Sequence, residues 1–127
     1  MKSKILIDTC GWIDFFRSTE SRLGDFVAQA IDDESAVLCS VTAAELLQGA
    51  KGKKEKRELD FLLDTVECLA VVEDDWIQAG LLLQGLREKG VTVPLTDALI
   101  AVVAKRHGMP VCTVDKHFQH LAVEVVC

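Results

Sequence analysis

The chain reads as an α/β domain in which a parallel sheet is covered by helices on both faces. Short apolar segments alternate with amphipathic stretches along its whole length, the order from which such sheets are built. The intervening stretches are long enough to be helices that carry the chain back across a sheet. No repeat, low-complexity tract or linker interrupts the 127 residues, so a single domain spanning 1–127 is expected.

Lys4-Ile5-Leu6-Ile7-Asp8 is the first strand. Thr9 is expected to cap the next helix, where Trp12, Ile13, Phe15 and Phe16 recur at helical spacing on one buried face. A second helix runs from Ser21 to Asp32 with Leu23, Phe26, Val27 and Ile31 inward. Ala36 to Ser40 is the second strand; Thr42 then opens a helix through Leu46 and Leu47, and Gly49 and Gly52 loosen the chain. Lys53 to Val66 places Leu59, Leu62 and Leu63 on a helical period behind a basic start. Cys68 to Val72 is the third strand, and Asp74 or Asp75 caps a long helix ending at Gly90, a left-handed C-cap. Pro94 stops the following extended piece, and Thr96 caps a helix apolar nearly all round from Ala98 to Ala104. Such a helix is buried on most sides. Gly108 ends it, Pro110 to Val114 is the fourth strand, and Ala122 to Val126 is a candidate fifth strand at the sheet edge. A central sheet of four to five strands results.

Half the residues are hydrophobic and 27% are charged, ordinary values for a globular protein. The longest apolar run, Ala98 to Ala104, is closed by Asp97 and Lys105, well short of the ~20 residues needed to span a bilayer. The Met1-Lys2 start is basic but leads into too short an apolar stretch for a signal peptide. No membrane association and a cytoplasmic location are expected. Five cysteines, an odd count without C-x-x-C spacing, point to free thiols in a reducing compartment rather than to disulfides or zinc. His107, His117 and His120 lack partners spaced to complete a zinc set and are read as surface residues. The net charge of −6 argues against a protein that coats nucleic acid by bulk electrostatics. It does not exclude an enzyme that holds one phosphodiester through a metal.

Four carboxylates, Asp8, Glu45, Asp97 and Asp115, fall where a strand ends or a helix begins. In an open α/β sheet these ends crowd into one crevice. Like charges ~4 Å apart repel by about 4 kcal/mol at an effective dielectric near 20, so the gathering predicts a divalent cation and phosphate chemistry. Each acid also has a plainer reading. Asp8 can be a turn residue favouring the next helix's positive end. Glu45 can close a capping box over Thr42-Ala43-Ala44-Glu45. Asp97 can be a first-turn acid, and Asp115 a turn acid after its strand. Thr113 and Asp115 are two apart on a strand, which places hydroxyl and carboxylate on one side.

Taken together, Ile7-Asp8-Thr9-Cys10-Gly11-Trp12-Ile13-Asp14, Thr42-Ala43-Ala44-Glu45-Leu46, Leu95-Thr96-Asp97-Ala98-Leu99-Ile100-Ala101 and Val111-Cys112-Thr113-Val114-Asp115-Lys116-His117-Phe118 resemble the PIN domain, and within it the VapC-type toxin ribonucleases of prokaryotic toxin–antitoxin pairs. The resemblance spans almost the whole chain. It implies a three-layer α/β/α sandwich whose first and fourth strands are neighbours, with Asp8 beside Asp115. It also implies Mg²⁺ or Mn²⁺, an RNA substrate, a homodimer, and a small antitoxin that blocks the site. On this reading Asp8 and Asp97 are direct metal ligands, and Asp115 and Glu45 act through water or hold a second ion. Thr113, and with it Thr9, orients a ligand or a water. Arg17, Lys116 and the basic block Lys51, Lys53, Lys54, Lys56 and Arg57 are candidate phosphate contacts; the same block serves equally as a solvated helix start. Trp12 and Phe16 are either core or dimer contact.

Rival classes fit less well. A phospho-receiver domain needs an acidic pair after the first strand, where only Asp8 stands, and a phosphatase with an aspartyl nucleophile needs D-x-D where this chain has Asp8-Thr9-Cys10. A catalytically silent module of the same fold, gripping RNA or a protein, is the remaining alternative.

Overall fold

The computed structural model describes residues 3–17 and 20–127, so the Met1-Lys2 start lies outside the described residues. Five strands form one all-parallel sheet: β1 (Ile5–Ile7), β2 (Ala36–Cys39), β3 (Glu67–Leu69), β4 (Val111–Cys112) and β5 (Val125–Val126), in the order β3-β2-β1-β4-β5. The first and fourth strands are neighbours, with Leu6 opposite Val111 and Ile7 opposite Cys112. Among the described residues six helices connect the strands: α1 (Thr9–Phe16), α2 (Arg22–Asp32), α3 (Ser40–Gly49), α4 (Gly52–Thr65), α5 (Glu73–Glu88) and α6 (Leu95–Arg106).

Strand alternation divides the core. Leu6, Val37 and Val111 face α5 and α6, where Ala79, Leu99, Ile100 and Val103 meet them. Ile7, Leu38 and Cys112 face the opposite way, into Trp12, Leu23, Val27, Leu59 and Leu62 of α1, α2 and α4. Helices therefore cover both faces, giving the expected three-layer α/β/α sandwich. Successive residues of a strand point to opposite faces, so an apolar run feeds two cores at once. No helix among the described residues is long and apolar enough to cross a membrane.

Several helix starts differ from the sequence expectation. Asp8, not Thr9, is the N-cap of α1; its carboxylate accepts from the Thr9 N–H at 2.7 Å. Chain leaving β2 enters α3 directly at Ser40, which puts Thr42 inside the helix and fully buried. The long α5 begins at Glu73; Asp75 sits in its first turn and accepts from the Val72 N–H at 2.9 Å. Likewise α6 begins at Leu95, just after Pro94, rather than at Thr96. The expected stop of α5 holds: Gly90 adopts φ +81°, and the Val91 N–H returns to the Leu86 carbonyl at 2.9 Å, the wrap of a left-handed C-terminal cap. Trp12 is fully buried, which removes it from any subunit contact; Phe16 is half-buried. At Gly11 a methyl group would stand 2.7 Å from Ile7 Cγ2 and 3.3 Å from Val27 Cγ2. Glycine thus lets α1 press against the end of β1, which sets the position of Asp8.

Candidate metal centre

Three acids converge at the carboxyl ends of β1 and β4. Asp8 leaves β1, Asp115 follows β4, and Asp97 rides in the first turn of α6, a helix whose Ala98, Leu99, Ile100 and Ala101 are buried. β1 and β4 pair directly, so their continuations emerge side by side. This is where open parallel sheets place their ligands.

Asp8 is 4% exposed. Burial pushes its carboxyl above the ordinary range, and the charge of Asp115 adds to the rise; the Thr113 hydroxyl, the Thr9 N–H and the Cys10 thiol hold it back. Thr113 Oγ1 donates to Asp8 Oδ2 at 2.9 Å and accepts from the Asp115 N–H at 3.0 Å. One hydroxyl therefore ties the two strand ends together. Cys10 Sγ lies 3.5 Å from Asp8 Oδ2 and 3.6 Å from Thr113 Oγ1. Burial raises the thiol's pKa, with the nearby Asp8 charge adding, so Cys10 stays protonated as a weak donor.

Asp97 is strongly perturbed. Burial, then the charges of Asp115 and Asp8, push it up from the ordinary 3.8 to about 6, against the opposing pull of His117. His117 Nδ1 stands 3.1 Å from Asp97 Oδ2 and 3.0 Å from Asp115 Oδ1, while the His117 N–H donates to Asp115 Oδ1 at 2.9 Å. A 3-10 turn, Lys116–His120, carries this histidine back over the site. Asp97, Asp115 and His117 each offer a ligand atom within 4.8 Å of the others.

Glu45 reaches the site by another route. The capping box with Thr42 does not form, because α3 starts at Ser40. Instead Glu45 Oε1 accepts from Thr9 Oγ1 at 2.7 Å, and Thr42 Oγ1 lies 3.2 Å from the same hydroxyl. Glu45 is thus joined to the Asp8 turn through Thr9 and is not part of the Asp97–Asp115–His117 cluster. Beside Glu45 opens a cleft of about 380 Å³ lined by Ile13, Phe16, Arg17, Lys51 and Leu59. The remaining basic block, Lys53, Lys54, Lys56 and Arg57, is exposed along the start of α4.

The donor chemistry suits a hard divalent cation. The site is dominated by carboxylate oxygens, the ligands Mg²⁺ and Mn²⁺ take. Among the described residues no lysine or arginine forms an ion pair with Asp8, Asp97 or Asp115. Burial first, and then the charges of Asp115 and Asp8, account for the upward displacement of Asp97. By contrast, the buried Asp75 has its cation. Burial alone would raise it, but Arg106, donating from Nε and Nη2 at 2.8 Å each, outweighs burial and holds it low.

His117, expected at the surface, keeps 45% side-chain exposure yet turns Nδ1 toward Asp97 and Asp115, a contact the sequence did not reveal. Its signal was position: two residues beyond Asp115, where the strand has ended and the chain turns back.

Residues 5–124 match the PIN domain family. The chain belongs to that family. Among PIN proteins it is 33% identical over 122 residues to ribonuclease VapC11 of Mycobacterium tuberculosis, covering 93% of this chain and 91% of that one. It is 28% identical over 121 residues to ribonuclease VapC1 of Methanocaldococcus jannaschii, covering 94% and 82%. The fold also matches the DNA-bound VapBC structure of Salmonella typhimurium, with a TM-score of 0.82 at 20% identity over 98% of each chain. It matches VapC20 of M. tuberculosis, described as a sarcin-ricin loop cleaving toxin, with a TM-score of 0.71 at 18% identity over 94% of this chain and 96% of that one.

Proposed function

We propose that this PIN protein is a divalent-metal-dependent endoribonuclease, the toxin of a toxin–antitoxin pair. One observation carries the chemistry: Asp8, Asp97 and Asp115 arrive at one sheet end with Asp97 pushed to about 6 and, among the described residues, no lysine or arginine paired to any of them. The VapC ribonucleases to which it is similar supply the substrate class, and the VapBC complexes among its structural relatives supply the antitoxin.

In this reading Asp8 and Asp97 would hold Mg²⁺ or Mn²⁺ directly, and Asp115 and Glu45 would act through water or toward a second ion. When bound, such an ion polarises the phosphate and makes water ionise more readily near neutral pH. The remaining work falls to the chain. Thr113 keeps Asp8 Oδ2 oriented and favours its ionised form. Thr9 holds Glu45 at the mouth of the cleft. Arg17 and Lys51, which line that cleft, and the exposed Lys116 contact flanking phosphates and position the strand without reading bases. A homodimer and a cytoplasmic location belong to the same reading; exposed Trp76, Ile77 and Leu81 on α5 offer the apolar surface for a dimer.

Cleavage of a structured RNA panel tests the assignment. The expected result is cutting that requires Mg²⁺ or Mn²⁺, stops with chelator, and is lost in Asp8→Asn. Cutting that persists in chelator, or no cutting of any RNA while the ion binds, would overturn it.

A further inference from the structure

We propose that His117 is a nitrogen ligand of the cation centre, giving the site a preference for Mn²⁺, Co²⁺ and similar ions over Mg²⁺. The inference rests on the cation reading above and adds to it a donor of different chemistry. His117 Nδ1 faces the acids rather than solvent: it stands 3.1 Å from Asp97 Oδ2 and 3.0 Å from Asp115 Oδ1. Ligands ~2.1 Å from an octahedral ion and at right angles to each other lie ~3.0 Å apart. Both nitrogen–oxygen separations have that value, and no pair among the three ligand atoms exceeds 4.8 Å. Nδ1 therefore lies close enough to both carboxylates for all three to hold one cation.

The surroundings hold the ring in place. The His117 N–H donates to Asp115 Oδ1, and the next residue, Phe118, is 1% exposed and anchors the turn in the core. The ring itself retains 45% side-chain exposure, so it can exchange a carboxylate partner for an ion without unpacking the fold. Imidazole nitrogen binds later first-row ions far better than it binds Mg²⁺, whereas carboxylate oxygen suits Mg²⁺ and Mn²⁺ alike. A nitrogen beside the carboxylates would therefore shift selectivity along the transition series, and His117 is the residue that would set it.

The test compares wild type with His117→Ala and His117→Asn, the second retaining a polar side chain should the first fail to fold. Pulsed electron paramagnetic resonance of the Mn²⁺-loaded protein reads nitrogen coordination directly. Modulation from a directly bound nitrogen is expected in wild type and absent in both variants. Calorimetric titration with Mg²⁺ and Co²⁺ reads selectivity: Co²⁺ affinity is expected to fall about tenfold or more while Mg²⁺ affinity moves less than about threefold. Absence of nitrogen modulation in wild type, its survival in the variants, or an equal loss for both ions would overturn the proposal and leave His117 as an orienting hydrogen-bond partner. Ion uptake without a nitrogen signal overturns this inference alone; no ion uptake by wild type overturns the cation reading as well.

Discussion

Asp97→Asn tests the electrostatics of the centre most directly, because the native carboxylate works against the fold. Folded, Asp97 keeps its proton to about pH 6; unfolded, it releases it near 3.9. Between those values the folded state binds more protons, so the stability contribution of this group is fully present below the unfolded value and is lost as pH rises through about 6. A displacement of about two pH units corresponds to at most about 3 kcal/mol at neutral pH. The side chain is only 14% exposed, so solvent relieves little of it. Asparagine keeps the shape and an acceptor for His117 but carries no charge. Urea denaturation in chelator should find the two proteins alike near pH 4 and the variant more stable at pH 8 by up to about 3 kcal/mol, with a Tm about 10 °C higher. Saturating Mg²⁺ should then close the gap, since an ion at 100 times its Kd adds about 2.7 kcal/mol to the protein that binds it. A gap independent of pH, or a variant less stable at pH 8, would refute the charge argument and leave Asp97 a simple first-turn acid.

Other substitutions separate scaffold from chemistry. Asp8→Asn should abolish RNA cleavage while stability stays equal or rises, because asparagine still caps α1; Asp8→Ala should also lose about 1 kcal/mol of cap, both measured by denaturation beside a cleavage assay. Thr113→Val should keep the fold, cost about 10–100-fold in cleavage rate, and move the acid limb of the pH–rate profile upward, since the Thr113 hydroxyl favours the ionised form of Asp8. Arg106→Ala strips the cation from Asp75, which is 1% exposed, and should lower the urea midpoint, with specific activity per folded molecule unchanged. Gly11→Ala drives a methyl group to 2.7 Å from Ile7 Cγ2 and should destabilise by about 1–3 kcal/mol while lowering activity through displacement of Asp8.

What could be read from the sequence follows the range of the interactions. The strands were legible because a parallel sheet covered on both faces demands continuous apolar runs, as in Leu6-Ile7 and Val37-Leu38, whose members divide between the two cores. Burial of α6 was legible for the same reason. Helix starts were less so. Asp8 and Thr9 are both good caps, and only the geometry at the end of β1 decides that the carboxylate takes the Thr9 N–H. Thr42-Ala43-Ala44-Glu45 satisfies the capping-box pattern fully, yet β2 runs straight into α3 and the helix is already under way at Thr42. What turns Glu45 toward the site is a hydroxyl 36 positions away, at Thr9. His117 escaped because its partner Asp97 lies 20 positions back, on another element. Local pattern carries no information about such encounters.

The centre also shows why its charges cannot drift apart. Asp8 and Asp115 continue strands whose register is locked by Leu6 opposite Val111 and Ile7 opposite Cys112. A one-residue slip would exchange Leu6 and Ile7 between the two cores. Asp97 has no retreat either, because Ala98, Leu99, Ile100 and Ala101 behind it are all buried within 1% exposure. Backbone movement that relieved the repulsion would expose apolar surface at ~25 cal/mol per Å², so exposing Leu99 and Ile100 together would offset a repulsion of about 4 kcal/mol. The molecule is left with protonation of Asp97, the contact with His117 and capture of a cation as the ways to offset the cluster's charge, and the first of these is lost above about pH 6.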